Sequence, residues 1–394
     1  MNNFSCVELA RVGNIITGST PPKSEPTWFA SHGVPFITPT DIIDGHRRAV
    51  TGRYLSEEGV KGLASRLIPP NTACFVAIGS TIGKICFTGE AAVTNQQIHS
   101  VVVDENSFDP RFVYYSICTL VDQVRATASG SATPIVNKSH FGKFQIPKLP
   151  ISEQRRIGAT LGTLDDKIES NRRQIATIFR LVESIGEAES KKIPPISLES
   201  LAVLNRKSSP ISQLEGSLVD HYSLPAFDNG AYPVREMADG IKSNKIVLNA
   251  PCVLVPRLNP KTQRTWWVNP SPEVVSLSST EFAVLEPKTG TDLSAVWLAV
   301  IDKDFQERMR ASVTGTSGSH QRVAPLTVMG LEVSDFRAAE AEVINTVADL
   351  LNRTHMLKTE NSRLAALRDS LLPELLSGRV RASEIEDAVE EGSA

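Results

Sequence analysis

Residues 152 to 187 constrain this chain more than any other stretch. Apolar side chains recur at Ile157, Leu161, Leu164, Ile168, Ile175, Ile178, Val182 and Ile185 in alternating steps of four and three. That spacing puts two rows on one face of a helix and demands a second helix to cover them. Leu161, Ile168, Ile175 and Val182 form one row, Ile157, Leu164, Ile178 and Ile185 the other, and only Asn171 interrupts the register. Ser152 stands as N-cap after Pro150, and Gly186 followed by Pro194 and Pro195 supplies a stop. At about 1.5 Å per residue the helix is roughly 52 Å long, more than a lobe of its own needs for cover.

A second stretch repeats the pattern. Val343, Val347, Leu350, Leu357, Leu364, Leu371 and Leu375 keep the same spacing, interrupted by Thr354, Asn361 and Arg368. Asp335 is placed to cap its start and Gly378 to end it, while Pro373 predicts a kink or a short separate helix. Two such helices bury their seams against each other, antiparallel if the repeats are related by a two-fold axis. Asn171 and Asn361 lie near the midpoints and are expected to meet and set the register.

Each helix follows a stretch of mixed texture, and the two stretches match in order. Val102 aligns with Val284 and Tyr115 with Trp297 at an offset of 182, Gly130 with Gly315 at 185, and Ile157 with Ile344 at 187. This slow drift is that of a tandem duplication with small insertions. The chain divides into lobes at 1–150 and 193–333, helices at 151–192 and 334–378, and an acidic tail at 379–394.

Composition bounds what the lobes do. With 41 basic and 44 acidic residues the net charge is −3, and the tail, with two basic and five acidic residues, carries all of it. Any anion-binding face is therefore local. The five cysteines (Cys6, Cys74, Cys86, Cys118, Cys252) form no C-x-x-C pair, which fits a reduced cytoplasm. No uncharged apolar run reaches the roughly 18 residues of a membrane span, and residues 1–20 lack the pattern of an export signal.

A catalytic constellation is absent. Gly79–Ile85, "GSTIGKI", has three residues between its glycines and Ile85 where a phosphate-binding loop needs Ser or Thr. The seven histidines show no paired ligand spacing, so no metal site is expected. Neither G-x-S-x-G nor G-x-G-x-x-G occurs, nor a D/N-P-P-Y-type motif with a glycine-rich methyl-donor loop, so a self-sufficient methyltransferase or nuclease is excluded.

A binding reading fares better. Hydroxyl-rich loops precede both long helices, with Ser129, Ser131, Asn137 and Lys138 in the first lobe and Thr316, Ser319, His320, Gln321 and Arg322 in the second. Such loops offer N–H groups to phosphate and bidentate donors to base edges. Thr38, Thr40, Arg47, Arg48, Lys84, Asn95 and Gln96 extend the set in the first lobe, and Arg257, Asn259, Lys261 and Arg264, beside Trp266 and Trp267, in the second.

The run "IVNKSHFGKFQIPKLPISEQRRIGATLGTLDDKIESNRRQI" (135–175), "GSTIGKICFTGEAAVTNQQIHSVVV" (79–103) and "LRDSLLPELLSGRV" (367–380) resemble type I restriction-modification DNA specificity subunits. The likeness is weak over 195–330. It implies an α+β fold, with two pseudo-symmetric target-recognition domains of mixed sheet and helix separated by two long antiparallel coiled-coil helices. It implies a non-catalytic, DNA-binding subunit for phage defence, each lobe reading half of a bipartite asymmetric target on double-stranded DNA while the helices set the spacer. Expected partners are two modification (methyltransferase) subunits, docked around "SEQRR" and "RDSLLPELLSG", and through them restriction (translocase/nuclease) subunits. No cofactor is expected on this chain; S-adenosylmethionine, ATP and magnesium would sit on the partners. The competing reading is a protein-binding scaffold with a coiled-coil spacer.

Overall fold

The computed structural model describes residues 5–128, 134–314 and 321–385. The chain divides into two compact units, the first made of residues 1–170 and 360–394, the second of residues 171–359. Both are α+β, and they repeat one plan.

The first unit holds strands β1 (Cys6–Glu8), β2 (Gly13–Thr17), β3 (Phe29–Ala30), β4 (Val34–Ile37), β5 (Tyr54–Leu55), β6 (Leu67–Ile68), β7 (Ala73–Val76), β8 (Ile85–Phe87), β9 (Ala92–Thr94), β10 (Ile98–Val103) and β11 (Gln145–Pro147). They make a β1-β11 pair, a four-stranded sheet β2-β10-β7-β8 and a five-stranded sheet β3-β5-β4-β9-β6. Helices α1 (Glu57–Gly62), α2 (Pro110–Cys118), α3 (Val121–Ala128) and α4 (Lys138–Phe141) lie between strands, and α5 (Ile151–Ser190) follows. Phe75, Phe112, Tyr115 and Phe141 pack with Leu161 and Leu375 in one core.

The second unit holds β12 (Pro195–Ser197), β13 (Ala202–Asn205), β14 (Ser208–Ser209), β15 (Leu218–Tyr222), β16 (Val234–Met237), β17 (Lys245–Leu248), β18 (Cys252–Pro256), β19 (Trp266–Val268), β20 (Val275–Ser278), β21 (Phe282–Pro287) and β22 (Glu332–Ser334). Its helices are α6 (Leu224–Asp228), α7 (Leu293–Ile301), α8 (Lys303–Ala311), α9 (Pro325–Gly330) and α10 (Ala341–Ser377). Again there is a pair, β12-β22, a four-stranded sheet, β13-β21-β18-β19, and a five-stranded one, β14-β17-β20-β15-β16. Each five-stranded sheet contains one parallel pair, β4 with β9 in the first unit and β15 with β20 in the second. The extra edge strand differs: β3 flanks β5 in the first unit, whereas β14 flanks β17 in the second.

The register of the repeat differs from the sequence alignment. β10 starts at Ile98 opposite Val76, and β21 starts at Phe282 opposite Pro256. Ile98 thus corresponds to Phe282, and Val102 to Glu286 instead of Val284. A two-residue slip along a strand keeps every side chain on the same face, so alternation cannot expose it. The N-caps Asp109 of α2 and Asp292 of α7 likewise place Tyr115 opposite Leu298, one residue past Trp297.

The long helices follow the heptads. Ile157, Leu161, Ile168, Ile175 and Val182 are buried on α5, as are Val347 and Leu357 on α10, where Leu351 is buried in place of the expected Leu350. Burying each such side chain stabilises by roughly 1.5–3 kcal/mol. Gly186 does not stop α5. It lies inside the helix, where a Cβ would come within 3.2 Å of Leu298 on α7, and the helix runs on to Ser190. Asp335 caps a short 3-10 turn (Phe336–Ala338) ahead of α10, and α10 is continuous through Pro373. Gly378, at φ 70°, closes it, with Arg379 N–H donating to Glu374 O (3.0 Å).

Two ion pairs join α5 to α10. Asp165 is buried and accepts from Arg368 Nη1 (2.6 Å) and from the Tyr115 hydroxyl (2.6 Å). Lys167 pairs with Glu360 (3.4 Å). Ascending α5 therefore meets descending α10, so within the first unit the two segments are antiparallel. Asn171 and Asn361 are both buried.

Removing Arg368 leaves the Asp165 charge buried without its main partner. Arg368→Met is expected to cost about 3–5 kcal/mol in urea unfolding, and adding Asp165→Asn should recover most of it.

Candidate nucleic-acid interface

In the first unit, backbone bonds tie four loop segments into one ledge at the carboxyl ends of the parallel strands. Asn95 N–H donates to Ile37 O (2.9 Å) and Ala77 N–H to Gln97 O (2.8 Å). Gly79 N–H donates to Pro134 O (3.0 Å), and Val136 N–H to Ala77 O (2.9 Å). Gly79 sits at φ 94°, a left-handed conformation suited to glycine. Thr38 opens a capping box with Asp41, whose carboxylate also takes Arg53 (2.8 Å). Asn95 Nδ2 donates to Gln97 Oε1 (2.9 Å), and Thr20 Oγ1 to Gln96 Oε1 (2.6 Å). Asn137 caps α4 through His140 N–H (2.8 Å), leaving Lys138 exposed in its first turn.

His99 fastens this ledge to the sheet. Its Nδ1 meets Thr17 Oγ1 (3.0 Å), its Nε2 meets Val136 O (3.0 Å), and burial lowers its pKa.

The ledge thus brings together Thr38, Thr40, Asn95, Gln96, Asn137 and Lys138. Three other candidates point elsewhere. Arg47 is buried against α5, pairing with Asp166 and donating to Gly162 O (3.4 Å). It is a structural anchor, not a DNA contact, because its side chain is enclosed inside the unit. Arg48 lies over the Phe87 ring (5.6 Å) and donates to Phe87 O (2.9 Å), with burial lowering its pKa. Lys84 Nζ donates to Ile42 O (2.8 Å).

The second unit rebuilds the ledge bond for bond. Ser279 N–H donates to Tyr222 O (2.8 Å), Arg257 N–H to Glu281 O (2.8 Å), Asn259 N–H to Gln321 O (2.9 Å), and Val323 N–H to Arg257 O (3.0 Å). The turn that Gly79 makes has a counterpart here: Asn259, at φ 49°, stands in the glycine's place. Asparagine tolerates this region through local hydrogen bonding, which is why no glycine motif marks the turn in the sequence. Asn259 Oδ1 is buried with no partner among the described residues.

Several basic candidates in this unit already have partners. Arg257 donates to Val323 O (2.9 Å) and Thr280 O (2.8 Å), and burial lowers its pKa. Arg264 grips Asp228 at 2.6 and 3.1 Å, and Arg322 grips Glu281 at 2.6 and 3.2 Å. Lys261 is exposed. Trp266 is buried among Tyr222, Phe227 and Phe282. Lys138 and Arg322 do not occupy equivalent positions: Arg322 bridges Leu258 as Ile135 bridges Ile78, and Lys138 corresponds to Pro325, which opens α9. Ser129, Ser131, Thr316, Ser319 and His320 lie outside the described residues. Sequence reasoning missed Ile135 and Glu281, whose place on the ledge follows only from the backbone bonds.

Among the described residues no cluster of His, Cys, Asp and Glu is placed to hold a metal ion, and no helix is long and apolar enough to cross a membrane.

Two repeats of one mixed-sheet unit, each presenting a polar ledge, define a duplicated α+β binding protein. Residues 1–180 match the type I restriction modification DNA specificity domain. It is 30% identical over 172 residues to the HindI specificity subunit of Haemophilus influenzae, an alignment covering 42% of this chain and 37% of that protein. It is 28% identical over 167 residues to the EcoR124I/EcoR124II specificity subunit of Escherichia coli, covering 40% of each. The matches thus span about two fifths of these curated relatives. The crystal structure of a type I restriction-modification S subunit from M. genitalium shares the fold, with a TM-score of 0.55 at 16% identity over 95% of this chain and 97% of that one.

His99 titrates at lower pH in the folded chain than in the unfolded one, so between the two values the unfolded chain binds the extra proton and stability falls as the pH drops. Thermal unfolding from pH 7 to pH 5 should show this loss, and His99→Gln, which keeps a donor and an acceptor, should flatten it.

Proposed function

We propose that this chain is the DNA specificity subunit of a type I restriction-modification complex and has no catalytic role of its own. The carrying observation is one ledge of backbone bonds built twice with different side chains, Asn95, Gln96 and Lys138 on one and Ser279, Glu281 and Arg322 on the other. A repeated frame with unlike side chains suits a bipartite, asymmetric target on double-stranded DNA, each ledge reading one half. The long helices serve as the ruler between half-sites. Exposed flanks of α5 and α10 dock two modification subunits, and through them restriction subunits. S-adenosylmethionine, ATP and magnesium belong to those partners, and the complex works in the cytoplasm. Lys138, Lys261, Arg322, Asn137, Thr38, Thr40, Asn95 and Gln96 are the contacts this reading retains, with sharing of phosphate neutralisation among subunits offsetting the chain's balanced charge.

Footprinting of the chain with its modification partner should show two short protected tracts separated by an open gap. Uniform protection or none would favour a protein-binding scaffold. Lys138→Ala should weaken binding about equally across sequences and lower the salt slope by about 1. Deleting seven residues from α5 and seven from α10, which preserves both seams, should shorten the accepted spacer; an unchanged spacer would refute the ruler.

A further inference from the structure

The two ledges carry unlike side chains at one matched position. The bridge between Ile78 and Ile135 in the first unit is repeated between Leu258 and Arg322 in the second. The bond from Ala77 to Gln97 is repeated from Arg257 to Glu281. Gln97 N–H donates to Asn95 Oδ1 (3.1 Å), just as Glu281 N–H donates to Ser279 Oγ (3.3 Å). In one frame, therefore, Ile135 stands where Arg322 stands, and Gln97 where Glu281 stands.

Arg322 is held by both of its near-side donors. Nε donates to Glu281 Oε2 (3.2 Å) and Nη2 to Glu281 Oε1 (2.6 Å), while the side chain is 51% exposed. A guanidinium has five N–H groups in a rigid plane. Glu281 takes two of them on one edge, and the end-on edge, formed by Nη1 and the second Nη2 hydrogen, has the geometry for guanine O6 and N7. An arginine gripped this way has lost its rotamer freedom before it meets DNA, which favours a directional base contact over a loose phosphate contact. Ile135, 55% exposed and without donors, offers only an apolar surface at the matched place.

We propose that Arg322 is a specificity-determining residue that reads one guanine in the half-site of the second unit, that Glu281 is the positioning residue that aims it, and that no guanine is specified by Ile135 in the first half-site. This rests on the DNA specificity reading above.

The test is selection from a random double-stranded DNA library by the full chain co-purified with its modification subunits, comparing wild type with Arg322→Ala, Arg322→Lys and Glu281→Gln. Arg322→Ala is expected to relax a single G·C position in one half-site, with a roughly 10- to 100-fold loss on the wild-type target, and to leave the other half-site and the spacer unchanged. Arg322→Lys keeps the charge but not the fork and should relax the same position. Glu281→Gln should relax it less, since an amide still accepts one of the two bonds. Uniform weakening on all sequences with a smaller salt slope, or full retention by Arg322→Lys, would make Arg322 a phosphate contact and overturn the proposal. An unchanged motif in all three variants would overturn it as well. If wild type itself selects no bipartite motif, the broader specificity reading fails instead, a result separate from any variant's behaviour.

Discussion

A helix of forty residues with one apolar stripe cannot stand alone in water, and the fold is organised around covering α5. Within the first unit its early turns are covered by the last turns of α10 and by the lobe core, through Ile157, Leu161 and Leu375. Within the second, its later turns are covered by the first turns of α10 and by α7, through Val182, Val347 and Leu351. The seam also carries Asp165, whose burial is tolerable only because Arg368 and Tyr115 both bind it. Burial of the stripe supplies the energy, and the charged pair resists slippage, since a shift of α10 would separate Asp165 from its partner.

On that support the lobes are free to diverge in side chains while keeping their backbone. The pair, the four-stranded sheet and the five-stranded sheet recur in both units, and the ledge bonds recur with them. Backbone N–H and carbonyl groups are indifferent to the side chain that follows, so the frame persists when Gly79 becomes Asn259 and Ile135 becomes Arg322.

The helices were legible because their signal is a long period sampled many times: seven of ten heptad positions in the C-terminal helix are apolar, and only Thr354, Asn361 and Arg368 depart. The duplication was legible in order but not in register. Val102 and Val284 align by type, yet a slip of two residues is invisible to a strand's alternation, and only the pairing of Ile98 with Val76 and of Phe282 with Pro256 reveals it. Arg47 looked like a phosphate contact because sequence shows a charge and not its neighbour; Asp166, more than a hundred residues away, decides its role. Gly186 looked like a stop because glycine ends many helices, but close approach to Leu298 is the other use of a missing side chain.

By itself, then, the sequence determined the seams and the repeat, because those depend on local periodicity and on which residue types are present. Only the tertiary structure decided which polar residues share a ledge, which arginines are already held by carboxylates, and that Asn259 answers Gly79. Those facts are set by contacts between residues far apart in the chain, and such contacts leave no periodic trace for a linear reading to find.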